Sequence, residues 1–320
     1  MQKTNISPLV SIVITNYNYG QYLKKSIDSA LNQSYKNIEI IIIDDCSSDN
    51  SLVVLEQYSK LKKINIIKHK KNKGIVYSRN EALKVSNGEY LSMLDADDFM
   101  ESNYIENMLN IALSSKSDVI YPNWHMIDLH TEKEYYTDFP EFSPKDLQLQ
   151  KLNVSPVSLL KLYSVRQFKF TNEKVAEDWD FFLDLSLRDI SFKLAKNIFA
   201  NYVVGKESRG NSLVGGEKAL LDMKEFINIL SKYKKKYPKK EIIEPVELVL
   251  YKYSNIVAIN NSTNSALVEK EKEFNEIKDE IKNLTEYCDK IGKELNQIRS
   301  FLIYKIFIRP ILYIKRNFRR

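Results

Sequence analysis

Residues 38–45 read Ile38-Glu39-Ile40-Ile41-Ile42-Ile43-Asp44-Asp45, an apolar run closed by two adjacent carboxylates. Four consecutive isoleucines fit a strand covered on both faces, as strands of parallel sheets are. Such a strand delivers the residues that follow it to the carboxyl edge of the sheet, where α/β proteins place their ligands. Outward from this stretch, Leu9 to Ile14, Ile64 to Ile67, Tyr90 to Leu94 and Val119 to Tyr121 also read as strands. Each of the first four strands is followed by a helix-like pattern. The alternation predicts an α/β fold with a mostly parallel, Rossmann-like sheet and helices on both faces.

The 320 residues, 43% of them apolar, can supply a sizeable core, which excludes a disordered or collagen-like chain. Cys46 and Cys288 are the only cysteines, so neither a disulfide framework nor a thiolate metal site is indicated. No apolar h-region follows the first residues, and no segment offers the ~20 unbroken apolar residues of a membrane span. The expected location is therefore cytoplasmic. The net charge of +6 suggests nucleic acid until its position is considered. Seven basic residues and no acidic one lie between Arg299 and Arg320, leaving 41 basic against 42 acidic elsewhere. The basicity belongs to a tail and not to a nucleic-acid groove.

Three acidic clusters follow strand ends or open a helix: Asp44-Asp45-Cys46-Ser47, Asp95-Ala96-Asp97-Asp98 and Glu177-Asp178-Trp179-Asp180. A parallel sheet brings such ends together, and carboxylates so gathered repel one another unless a hard cation or hydrogen-bond donors compensate. A divalent metal is implied. Taken singly, Asp44-Asp45 also reads as a helix-capping turn, and Asp98 as an N-cap.

The chain resembles glycosyltransferase family 2 over about residues 8 to 215. The resemblance is carried by Val10-Ser11-Ile12-Val13-Ile14-Thr15-Asn16-Tyr17-Asn18, by Asp44-Asp45-Cys46-Ser47-Ser48-Asp49, and by Asn72 and Gly74 with Ser78-Arg79-Asn80. It continues through Gly88-Glu89-Tyr90 to Asp95-Ala96-Asp97-Asp98 and ends at Glu177-Asp178-Trp179-Asp180. A lone DxD is weak evidence, whereas this ordered series is specific. The resemblance implies the GT-A fold, a nucleotide diphosphate sugar donor, most naturally a UDP-sugar, and transfer with inversion. By position, Asn16 and Tyr17 resemble residues that face the nucleobase. Asp45, with Asp44 beside it, resembles the carboxylate that accepts the base N–H. Arg79 falls near the nucleotide. Asp95 and Asp97 match the DxD motif, with Asp95 toward the ribose and Asp97 on Mn2+ or Mg2+ between the phosphates. Asp178 matches the general base, Glu177 its orienting neighbour or alternative, and Trp179 offers a face for an acceptor sugar, although a Trp in a helix is more often core.

Some positions depart from the family pattern. Thr15-Asn16 stands where many relatives have Pro-Thr, Cys46 replaces a common Gly, and no His follows the loop Gly205 to Gly216, since the only histidines are His69, His125 and His130. Two competing readings are an Asp-nucleophile phosphatase or phosphotransferase, which would carry its DxD after the first strand, and a non-catalytic scaffold, which would have lost its acidic clusters.

Beyond the expected catalytic domain, 1–215, helical patterns predict an extension over 216–265. Leu267, Phe274, Ile281, Cys288, Leu295 and Leu302 then recur every seven residues, with Ile277, Leu284, Ile291 and Ile298 between them. These a/d heptads predict a coiled coil over 266–302 and a homo-oligomer, unless the helix folds back on the enzyme. Residues 303–320 interleave apolar and basic side chains. They form an amphipathic tail suited to the inner face of an anionic membrane, and thereby to a glycan or lipid-linked glycan acceptor, or else a docking segment.

Overall fold

The computed structural model describes residues 7–129, 131–172, 176–204, 217–244, 247–248 and 251–252, with side chains from 225 onward in the helix that begins at 217. Four strands lie in the order β3-β2-β1-β4, all parallel: β1 (Val10–Asn16), β2 (Ile38–Asp44), β3 (Ile64–Lys68) and β4 (Tyr90–Asp95). The register sets Asn16 beside Asp44 and Thr15 beside Asp95. Three acidic or polar strand ends therefore meet at one edge.

The isoleucine run behaves as a strand buried on both faces. Ile38, Ile40 and Ile42 enter one core while Ile41 and Ile43 enter the other, and β1 divides in the same way, with Val10, Ile12 and Ile14 opposed to Val13. Full burial of one such side chain contributes about 1.5–3 kcal/mol. Side chains of α1 (Gly20–Leu31), α2 (Ser51–Tyr58) and α4 (Tyr104–Ser115) close the first core; those of α3 (Ile75–Val85) join the second.

After β4 two short antiparallel strands enter the sheet, which stays mostly parallel, as expected. β5 runs over Val119–Asp128, well past the three residues expected, and is followed by β6 (Lys133–Tyr136), α5 (Pro144–Gln148), β7 (Leu159–Lys161) and α6 (Leu162–Val165). β7 lies between β4 and β5, antiparallel to both; β5 also pairs antiparallel with β6 and parallel with β8 (Phe192–Val204). The stretch 122–175 shows no period in the sequence, because three-residue β7 and four-residue, fully exposed β6 are too short to display one. A proline here need not break an element. Pro144 starts α5, where a missing N–H is harmless, and Ser143 caps the helix through Asp146 N.

α7 (Glu177–Ser186) packs Phe181, Phe182 and Leu185 into the second core, and α8 (Glu217–Lys236) adds Ile229, Leu230 and Tyr233 to the same cluster. Lys232 Nζ lies 2.8 Å from Asp180 Oδ1, and the Tyr233 hydroxyl donates to Asp180 O. Asp180 is thus a buried brace for α8, and this helix of the extension packs into the second core. The first compact unit extends to Lys252. The loop Gly205 to Gly216, His130, the heptads and the basic tail lie outside the described residues. Among the described residues, no helix is long and apolar enough to cross a membrane.

Candidate active site

At the carboxyl ends of β1 and β2, polar side chains hold one another. Asn16 Nδ2 donates to Asp44 Oδ1 at 2.7 Å and to Ser47 Oγ at 3.1 Å, and Asp44 also accepts from Ser47 N and Ser47 Oγ. Asp44 is 1% exposed and its oxygens are occupied, so it braces the β1 and β2 loops against each other. Asn16 Oδ1 is buried with no partner among the described residues. Tyr17, 41% exposed, leaves the same loop toward solvent. Cys46 adopts φ +67°, the left-handed region that glycine enters without strain, which explains in backbone terms why a Gly suits this position.

Asp45 points the other way along β2's extension. Its oxygens accept from Lys73 N at 2.8 Å, Gly74 N at 2.7 Å and the His69 ring at 2.6 Å. Gly74 has φ +83°, so the chain turns there to aim two successive N–H groups at one carboxylate. His69, just past β3, is buried between Asp45 and Glu81.

Arg79 on α3 joins the second and third acidic clusters. Its Nη2 lies 3.1 Å from Asp95 Oδ2 and its Nη1 2.9 Å from Glu177 Oε1, while Thr15 Oγ1 donates to Asp95 from the neighbouring strand. Arg79 is 4% exposed, and Nε has no partner among the described residues. Burial works against its charge, but Asp95 and Glu177 override it and raise its pKa. The chain enters α7 through Ala176 in the left-handed conformation, which turns Glu177 and Asp178 back toward this guanidinium.

The carboxylates that Arg79 does not bind remain undercompensated. Burial, then the charge of Asp95, pushes Asp97 up to about 7. Asp98 is raised well above the carboxylate range by burial and by Asp97 and Asp95, although its Oδ1 accepts from Val203 N at 3.0 Å. That bond ties the β4 loop to β8 and replaces the helix cap considered for Asp98. Asp178 is pushed up to about 6 by burial and by Glu177, with Arg79 opposing. Among the described residues no three His, Cys, Asp or Glu side chains form a ready ligand set. The donor chemistry nonetheless fits a hard divalent cation, since Mg2+-type sites use one or two carboxylates and complete their shell with phosphate oxygens and water.

Residues 11–175, just over half of the chain, match Glycosyl transferase family 2. The chain belongs to that family. An uncharacterized glycosyltransferase of Haemophilus influenzae is 41% identical over 128 residues, 40% of this chain and 39% of the relative. A putative teichuronic acid biosynthesis glycosyltransferase of Bacillus subtilis, TuaG, is 36% identical over 111 residues, 34% of this chain and 44% of the relative. The matches therefore span less than half the length of either relative. The structure of S. aureus TarS residues 1–349 in complex with UDP-GlcNAc superposes with a TM-score of 0.57 at 19% identity, covering 69% of this chain and 66% of that one. This agreement is one of fold.

Within this family member, the structure gathers Asp95, Glu177 and Asp178 around the Arg79 guanidinium, places Asn16, Asp44 and Asp45 at the adjoining strand ends, and leaves Tyr17 exposed. Trp179 departs from its expected place at the acceptor. It is 4% exposed, its Nε1 donates to Leu147 O, and Phe226 meets its ring edge to face. The indole is core because it lies on the face of α7 that carries Phe182 and Leu183, away from the carboxylates. Reading the sequence also missed three residues. Ser47 organises the Asn16–Asp44 brace, Tyr202 stacks on Trp124 with its hydroxyl's pKa raised by burial and then by Asp98 and Asp95, and His69 holds Asp45. Ser47 lies within the Asp44-Asp45-Cys46-Ser47 motif without a role of its own in the sequence, His69 is marked by its position one residue beyond a strand's carboxyl end, and Tyr202 has no local signal.

Proposed function

We propose that the protein is an inverting glycosyltransferase that moves a hexosyl or N-acetylhexosaminyl group from a UDP-sugar to an acceptor hydroxyl, in the synthesis of a bacterial-type surface polysaccharide or glycoconjugate. The observation that carries the reading is the Arg79 bridge, because it joins the DxD carboxylate Asp95 to the Glu177-Asp178 pair. Donor and acceptor chemistry thereby share one site. The UDP-GlcNAc held by the similarly folded TarS supports the donor class, and the name of TuaG supports a surface polysaccharide.

In this reading the loop of Asn16 and Tyr17 and the carboxylate of Asp45 receive the base, with Asp44 bracing them. The unpaired Asn16 Oδ1 and Arg79 Nε offer hydrogen-bonding capacity to the bound nucleotide. Arg79 holds Asp95 toward the ribose. Asp97 would hold Mn2+ or Mg2+, which when bound offsets the charge that develops on the departing diphosphate. Glu177 is committed to Arg79, its Oε1 held by Nη1 at 2.9 Å. Asp178, with its pKa near 6, is the carboxylate free to take the acceptor's proton. Attack from the face opposite the diphosphate inverts the anomeric centre and gives a β-glycoside from an α-linked donor.

The heptads between Leu267 and Leu302 support self-association, and the basic apolar tail supports peripheral contact with the cytoplasmic face of the membrane, where lipid-linked acceptors reside. The decisive experiment incubates the full chain with Mn2+, a panel of UDP-sugars and a candidate acceptor, following UDP release and the anomeric configuration of the product by NMR. Acceptor-dependent UDP release with a β-linked product is expected. Retention of configuration, or release of inorganic phosphate in place of UDP, rejects the reading.

A further inference from the structure

Both ring nitrogens of His69 face carboxylate oxygens. Nδ1 lies 2.6 Å from Asp45 Oδ1 and Nε2 2.5 Å from Glu81 Oε2. A neutral imidazole carries one N–H, so one contact would set a lone pair against a carboxylate oxygen. The imidazolium, a donor at both nitrogens, satisfies the two together. Contacts this short belong to charge-assisted hydrogen bonds.

We propose that His69 is a positioning residue of the donor site: an imidazolium clamped between Glu81 and Asp45 that holds the Asp45 carboxylate in one orientation for the N–H of the donor's nucleobase. The inference rests on the reading of Asp45 given above. Lys73 N and Gly74 N hold Asp45 from the loop, and the His69 ring is its side-chain partner from the sheet. The ring fixes the carboxylate from the sheet side, and Glu81 anchors the ring to α3.

The charged and titratable groups around the ring are Asp45 at the end of β2, Glu81 and Tyr77 from α3, and Lys73 from the loop. Tyr77 meets the imidazole edge to face, and the Lys73 ammonium lies over the Tyr77 ring. Two carboxylates touch His69 directly and the lysine does not. Burial opposes the charge, but the hydrogen bonds and charges of Asp45 and Glu81 outweigh it and lift the His69 pKa above 6.5. The clamp is therefore intact below that raised value. As pH rises through it the ring loses one N–H, one contact turns repulsive, and Asp45 is released from its orientation.

The test is calorimetric titration of the full chain with UDP and Mn2+ across neutral to alkaline pH, for wild type, His69→Gln and Glu81→Gln, with imidazole NMR signals assigned through His69→Gln. Glutamine still donates one N–H to Asp45 but does not titrate. Wild type should lose about tenfold in UDP affinity as His69 deprotonates, in keeping with ~1.5 kcal/mol for a charged hydrogen bond. His69→Gln should bind about tenfold more weakly at neutral pH and show no such loss, its profile cancelling any titration of UDP itself. Glu81→Gln, at a part-exposed position, should fold and shift the midpoint downward. In turnover the change should appear in donor KM and leave kcat at saturating donor unmoved. Wild-type-like affinity and pH profile in His69→Gln, or a His69 that titrates at or below 6.5, overturns the clamp alone. A wild type that binds no UDP at neutral pH overturns the nucleotide reading and the clamp with it.

Discussion

Arg79 and Glu177 stand 98 positions apart in the chain and meet through a 2.9 Å bond from Nη1, while Nη2 of the same guanidinium holds Asp95. The pair couples the fourth strand's carboxylates to the start of α7. Both side chains are largely removed from water.

Arg79→Ala should therefore lower folding stability by about 3–5 kcal/mol, the usual result of leaving a buried charge without its partner. Arg79→Lys keeps the charge but not the planar fork, so it can serve one carboxylate well and the other poorly. Urea unfolding should rank wild type above Lys and Lys above Ala. A loss below 1 kcal/mol for Ala would show that water reaches these carboxylates freely.

Asp97→Asn should abolish the Mn2+ dependence of UDP binding while leaving metal-free affinity little changed. The amide matches the carboxylate in shape but lacks the negative charge that a hard cation requires. Calorimetry with Mn2+ and with a chelator reads this directly. Equal Mn2+ enhancement in the variant and wild type would assign the metal elsewhere.

Cys46→Gly should raise stability by up to about 1 kcal/mol. A side chain at φ +67° costs about 1–2 kcal/mol in the left-handed region, and the larger entropy of glycine in the unfolded chain returns part of that gain. Thermal unfolding measures the difference. A destabilised Gly variant would mean that the exposed thiol makes a contact worth more than the strain.

What could be read in advance depended on how local each signal was. The run Ile38 to Ile43 announces its own burial, and the carboxylates that follow it can only emerge at the strand's end. Asp44, Asp45, Asp95 and Asp97 are therefore legible in the sequence alone. β7 has three residues and no period, yet it separates β4 from β5 and makes the sheet mixed. The roles within the acidic clusters were equally hidden. Asp44 and Asp45 are adjacent and alike in sequence, but pleating sends one to Asn16 and Ser47 and the other to His69, Lys73 and Gly74. Trp179 and Asp178 differ by one helical step, enough to place one in the core and the other with Arg79.

That helical step frames the last prediction, Asp178→Asn. The amide can still accept from Trp179 N, which now bonds Asp178 Oδ1 at 2.7 Å, so the start of α7 should keep its form. It cannot take a proton from an acceptor hydroxyl, and a positioned base contributes ~10²–10⁴-fold in rate. Turnover, followed as UDP release with acceptor present, should fall by that factor while UDP affinity with Mn2+ stays near wild type. The wild-type rate should rise with pH through about 6, where Asp178 ionises, and the residual rate of the variant should lack that limb. Stability should move the opposite way. A carboxyl whose folded pKa lies above its unfolded value near 4 binds its proton more tightly when folded, so its ionisation destabilises the fold as pH rises from about 4 to 6. The Asn variant has no such penalty and should be more stable than wild type at neutral pH by about 1–2 kcal/mol, with the advantage vanishing below pH ~4. Paired rate and unfolding profiles test both halves. Near-normal turnover would transfer the base to Glu177, whereas lost turnover without the stability gain would mean that Asp178 is ionised at little cost in the free enzyme.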